Sequence, residues 1–185
     1  ARAIANHGTV VLGVAVNNSE ENLPLTKPKF GLVTQGDNPN QFLPTYTGLK
    51  ANISLLEDNA AGLGTMSIGN NDSVVRSLPT FDRVGETVIP SLGLELARVA
   101  IGASTFQIKA SNASSEEAFG AQTGINNIKL GPLTMPTTPD GQSWIYFAPS
   151  ADLVTVSAWD VLSGSIDPDF FSGKVVLVGT SAAGL

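Results

Sequence analysis

Hydrophobic and polar positions along the chain follow two periods, one suited to strands and one to helices. Thr9 to Val16, TVVLGVAV, is an unbroken apolar and β-branched run, which predicts a strand covered on both faces. The preceding RAIAN reads as the tail of a helix. From Asn17 to Thr47 the pattern dissolves. Pro24, Pro28, Pro39 and Pro44 forbid a long helix there, and only Phe30, Leu32 and Val33 suggest a short strand. Leu49, Ile53, Leu56 and Ala60 recur at helical spacing and predict a helix capped by Thr47 and stopped by Gly62. GLGTMSI reads as a strand and GNND as a turn. SVVRSLPTFDRVGETVIPS predicts two strands joined near Val84-Gly85, the first at an edge or interrupted by Pro79.

The clearest helix is IPSLGLELARVAIG. Pro90 suits its first position, Leu92, Leu96, Val99 and Ala100 share a face, Glu95 and Arg98 sit opposite, and Gly102 ends it. TFQIKA alternates like a half-exposed strand. Ser114 and Glu117 have capping-box spacing for one helical turn. INNIKL and SWIYFA read as strands around the turn MPTTPDGQ. TVSAWDVLSG reads as a short helix, with Ser157 and Asp160 in capping-box spacing and Gly164 as the stop, and KVVLVG reads as a final strand. Alternating strands and helices, with several strands apolar throughout, predict an α/β fold: a mixed β-sheet flanked by helices on both faces, in a single domain over residues 1–185.

Charge narrows the function. Ten basic residues against sixteen acidic ones give a net charge of −6, and no Lys/Arg cluster occurs. Phosphate-backbone and anionic-membrane binding need several positive charges on one face, so nucleic acid is excluded as a partner. Only 14% of residues are charged. No cysteine is present, which removes disulfides, thiolate nucleophiles and cysteine-ligated metals. No apolar run is long enough to span a bilayer.

Candidate chemistry is sparse. In GKVVLVGTSAAG, Lys174 stands at the opposite end of a strand from Thr180-Ser181, so it cannot act as the lysine of a phosphate loop. His7 is the only histidine and precedes the first strand, where an ordinary loop residue is the simpler reading than a triad member. DNPNQ and NNDS lack the oxygen spacing of a calcium loop and read as turns. Glu57-Asp58 and Glu116-Glu117 read as solvated helix faces. Asp72 and Arg76, four apart, read as an ion pair, with a ligand contact as the alternative. Trp144, Tyr146 and Phe147 crowd one strand and fit a core strand or a pocket wall. The residues offer no nucleophile, general base, metal set or cofactor loop.

The order of segments resembles the second class of CHASE domain, an extracellular sensory module of bacterial cyclases and kinases. The likeness runs through ANHGTVVLGVAV, NNDSVVRSLPTF, IPSLGLELARVA and MPTTPDGQSWIYF. It is most specific in TVSAWDVLSGSIDPDFFSGKVVLVGTSAAGL. The residues that carry it are Asp72, Arg76, Pro90, Ser91, Asp140, Gly141, Gly164, Gly173, Lys174, Gly179 and Thr180, and their expected roles are structural. The family's Asp-x-Asp-Gly appears here as Asn70, Asn71, Asp72 and Ser73, so only Asp72 and Arg76 carry over.

The resemblance implies the C-terminal two-thirds of the family module, which begins with a strand, a helix and a second strand ahead of the point matching Ala1. It implies a non-catalytic, extracytoplasmic sensor of a transmembrane receptor, with flanking membrane helices and a cytoplasmic cyclase or kinase output. The ligand is then a small molecule or an envelope condition, no cofactor or metal is needed, and an open sheet edge invites a homodimer. The ligand-binding region expected is 17–47 with the exits of the apolar strands. A stand-alone periplasmic solute-binding or interaction module, and less readily a hydrolase-like enzyme, remain the alternatives.

Overall fold

A computed structural model describes residues 1–19, 28–69, 74–113, 123–149 and 154–180. Its contacts form two units, Ala1–Ile145 and Tyr146–Leu185. The turn at 70–73, Asp72 and the Ser114–Glu117 spacing lie outside the described residues.

The first unit begins with α1 (Arg2–His7) and β1 (Val11–Asn17). β2 (Gly31–Gln35), β3 (Thr45–Tyr46), β4 (Gly48–Lys50), α2 (Ser54–Glu57) and β5 (Gly62–Thr65) follow. Then come β6 (Ser77–Pro79), β7 (Phe81–Val84), β8 (Thr87–Pro90) and α3 (Leu92–Ala100). β9 (Thr105–Ala110), β10 (Ile125–Leu130), β11 (Leu133–Pro136) and β12 (Gln142–Trp144) complete it. The fold is α/β with mixed pairing. The strands form four short sheets, ordered β4-β1-β5, β11-β10-β9-β2, β12-β6 and β3-β7-β8. β1–β5, β2–β9 and β3–β7 are parallel and the other pairs antiparallel. Short strands interrupted by Pro79 and Pro90 cannot extend one continuous ladder.

The larger core gathers Phe81, Val88, Phe106, Ile108, Ile125, Ile128, Leu130 and Leu43. β9 alternates half-buried and buried residues as its sequence predicts. Phe106 is its centre, meeting Phe30 and Phe81 edge-on at centroid distances of 5.1 and 5.3 Å. A smaller cluster holds Val14, Leu49, Val84 and Ile89.

Several expectations need correction. β1 is not covered on both faces: only Val14 is buried. The helix predicted from Thr47 to Gly62 shrinks to the four residues of α2. Gly48–Lys50 instead pairs antiparallel with Ala15–Asn17, which buries Leu49 as a strand residue. The 3.6-residue spacing there arose from strand, helix and loop residues in succession. Glu57 is buried, its carboxylate accepting the Asn52 N–H at 2.8 Å. Pro90 ends β8 rather than opening α3, whose N-cap is Ser91. Glu95 and Arg98 are the buried face of α3, which packs against β5 and β1. β12 stops at Trp144, and Trp144, Tyr146 and Phe147 are 69%, 92% and 70% exposed, so they do not form a core strand. β11, unread in the sequence, forms a hairpin with β10 through Gly131.

The second unit contains α4 (Ala158–Leu162) and a 3-10 turn at Pro168–Phe171. Ser157 caps α4, its hydroxyl accepting the Trp159 N–H at 3.2 Å. Gly164 follows at φ +74, the left-handed stop read from sequence. Lys174 to Gly179 is not a strand: Val175, Val176, Leu177 and Val178 are exposed and pair with no other described residue. β-branched composition sets a preference, but a strand exists only where a neighbour accepts its hydrogen bonds.

Candidate functional site

The structure brings together four of the motif residues, around Thr80. The turn Thr138–Gln142 is closed by Asp140, whose two oxygens accept from the Thr138 hydroxyl and the Gln142 amide, both at 2.6 Å. Gly141 holds φ +75, and a Cβ there would lie 2.9 Å from Ile125 Cδ1. Its carbonyl accepts both the Thr80 N–H at 3.0 Å and the Thr80 hydroxyl at 2.5 Å. The Thr80 carbonyl accepts the Ser91 N–H at 2.8 Å, next to Pro90. Pro90, Ser91, Asp140 and Gly141 therefore fix the β6–β7 corner against the β8–α3 junction. Arg76 is exposed on the approach to β6, its carbonyl accepting from Ile145 N–H at 2.9 Å. In the second unit, Gly164, Gly173, Gly179 and Thr180 are exposed, and Gly173 holds φ +68. Lys174 turns back onto its own segment, bonding the Phe170 carbonyl and lying 4.4 Å from the Phe170 ring centroid.

A groove of about 860 Å³ lies between β2, the 3-10 turn at Pro39–Gln41 and the β7–β8 hairpin. Phe30, Leu32, Thr34 and Gly36 form one wall, Pro39 and Asn40 the next, and Glu86, Thr87 and Val88 the facing one. The alternate residues of β2 are those on its core side, so the groove opens where the core meets the sheet edge. Asn38 starts the 3-10 turn, its side chain accepting the Asn40 N–H at 3.0 Å. Beyond β2, Asp37 is clasped by Asn112, which donates from Nδ2 to both carboxylate oxygens at 3.0–3.1 Å and stands at φ +62. Lys29, at the groove's start, donates to the carbonyls of Glu57, Asp58 and Ala60 at 2.6–3.0 Å. The groove falls within the 17–47 stretch singled out from sequence, joined by the hairpin turn that sequence reasoning missed.

Besides Glu57, two further buried acids were missed. Glu95 is fully buried, and Arg98 donates to both its oxygens, at 2.8 and 2.7 Å. The same guanidinium donates to the carbonyls of Ala61 and Ala103. Burial pushes the Glu95 carboxyl above its ordinary value, and the Arg98 hydrogen bonds and charge pull it partly back. Gly62 leaves the room: a Cβ there would sit 1.8 Å from Glu95 Oε1. Asp82, on β7, is 0% exposed, and neither oxygen has a hydrogen bond of good geometry. Burial raises its pKa, with the Thr65 hydroxyl the one group nearby that opposes the rise. That hydroxyl also leans on the Pro90 carbonyl at 3.5 Å, which is too long to hold it firmly. The one sequence signal for Asp82 was an acid inside a strand bounded by buried positions.

Chemically, these residues brace one another through hydrogen bonds and one ion pair. Among the described residues no group of three or more His, Asp or Glu could hold a metal ion, and His7 is an exposed partner of Thr9 at 2.8 Å. A family model described as the CHASE2 domain matches residues 1–185. The chain belongs to the CHASE2 family. CHASE2 domains are sensor domains, found in the extracellular parts of signalling receptors, and are not themselves catalytic. No curated protein and no solved structure matches the chain. Among the described residues of this CHASE2 chain, no helix is long and apolar enough to cross a membrane.

Proposed function

We propose that this CHASE2 domain is the extracytoplasmic sensor of a bacterial transmembrane receptor. It reads a small molecule or an envelope ligand, and it biases a cyclase, histidine kinase or Ser/Thr kinase on the cytoplasmic side through flanking membrane helices. Family membership carries this reading. The ligand site is the groove between β2 and the β7–β8 hairpin. It combines apolar floor residues (Phe30, Leu32, Val88) with a few polar groups (Thr34, Asn40, Glu86), the usual make-up of a binding cleft. Signal passage requires that ligand bind one of two domain states better than the other.

The test uses the full-length receptor in a reporter strain. Glu86→Lys, which reverses a charge on the exposed rim of the groove, is expected to abolish the response of the output to conditioned medium while leaving basal output and membrane levels intact. An output that responds identically after removal of residues 1–185 would overturn the sensor reading and favour a module that only binds.

A further inference from the structure

We infer that the open edge of β2 is a docking site for an extended peptide segment, which adds as a fifth strand to the β11-β10-β9-β2 sheet and lays alternate side chains into the groove. The inference rests on the groove being the sensory site, and it names the ligand class. Gly31 donates its N–H to the Ser104 carbonyl at 2.8 Å, and β2 runs parallel to β9 from Gly31 opposite Thr105 to Gln35 opposite Lys109. In a parallel ladder alternate residues turn their backbone groups to the same neighbour. Gly31, Val33 and Gln35 therefore face β9, and Leu32 and Thr34 turn their N–H and C=O groups outward. No described residue bonds those groups.

The two outward pairs stand about 6.6 Å apart, twice the strand rise. A second strand repeats donors and acceptors at that spacing, and a compact metabolite does not. The side chains of the same two residues line the groove, so backbone edge and side-chain pocket occur together, as strand addition requires. Charge selects further. Glu86 closes the groove with a side chain 94% exposed and only a 4.0 Å contact to Arg83, on a chain of net charge −6. A lysine or arginine in the peptide complements it.

The probe is a fluorescent, acetylated and amidated heptapeptide alternating valine and threonine between terminal lysines. Binding to residues 1–185 is followed by anisotropy, beside sedimentation velocity. Saturable binding is expected, weakened at least about tenfold by N-methylation of the peptide's edge-facing amides. Thr34→Pro is expected to do the same. Its lost N–H serves no native ladder bond, so the sheet survives, checked by circular dichroism. Glu86→Gln is expected to weaken binding about threefold at low salt and not at high salt. Undiminished binding of the N-methylated peptide, or no saturation by about 1 mM, which is the weakest affinity of interest, overturns the inference, whether or not Thr34→Pro folds. A dimer of the domain that Thr34→Pro abolishes also overturns it, by assigning the edge to a second copy. In the full receptor, a peptide that binds without moving the output defeats the sensor reading alone. A ligand-responsive output with no peptide binding defeats the peptide alone.

Discussion

Asp82→Asn is expected to stabilise this domain at neutral pH and to leave it almost unchanged in acid. The carboxylate is 0% exposed, and among the described residues neither oxygen has a hydrogen bond of good geometry, with only the Thr65 hydroxyl close enough to ease the charge. An unsatisfied buried neutral group costs about 1–3 kcal/mol, and an unpaired buried charge costs several. Asparagine keeps the shape and one orphaned amide but removes the charge, so the gain at pH 7 is the difference, about 1.5–3 kcal/mol. For a chain of this size that is a rise in Tm of roughly 3–10 °C. Burial raises the native pKa above the unfolded value of about 3.9, so the native state holds its proton longer. Below the unfolded pKa both states are protonated and no penalty exists. As pH rises from there through the raised native value, the wild type loses stability, while the variant does not lose it through this group. Urea unfolding followed by far-ultraviolet circular dichroism from pH 4 to 8 measures both curves. A gap between variant and wild type that is absent at pH 7, or equal at pH 4 and pH 7, would refute the reasoning.

Other outcomes follow from the same geometry. Thr65→Val removes the group that opposes the Asp82 rise, so it should destabilise the wild type at pH 7 more than the Asp82→Asn background, read as the coupling in a double-mutant cycle. Arg98→Met strands Glu95 in the core and should cost about 3–5 kcal/mol at neutral pH, measured by the same unfolding assay; adding Glu95→Leu should recover much of that loss. Gly62→Ala forces the Glu95 carboxylate aside and should lower Tm by several degrees, with a smaller drop in the Glu95→Ala background. Thr80→Val keeps the backbone bond to Gly141 but loses the hydroxyl bond, for about 1 kcal/mol by thermal melt.

Much of the fold was legible along the chain. β1, β9 and β10 follow from local apolar and alternating runs, α4 from its Ser157 cap and Gly164 stop, and the Gly102 end of α3 from a single residue. Each is set by neighbours in sequence, so local chemistry suffices. The family was legible too, because its motif glycines and prolines mark turns that backbone sterics impose, as Gly141 does under Thr80. The groove was half legible: the proline-rich stretch after Asn17 predicted irregular structure, but nothing local predicted that the β7–β8 turn would face it. What the chain could not show is which side of an element finds a partner. Leu49 is helical by period and a strand by pairing, because β1 offered it a ladder. Glu95 and Arg98 are polar by type and buried by position, because Gly62 and the carbonyls of Ala61 and Ala103 receive them. Composition and period thus determined the α/β class and most elements, and motif likeness the family, while the register of β4, the buried acids Glu57, Asp82 and Glu95, and the edge position of β2 among the described strands were decided by tertiary contact, since burial and pairing are properties of neighbours distant in sequence.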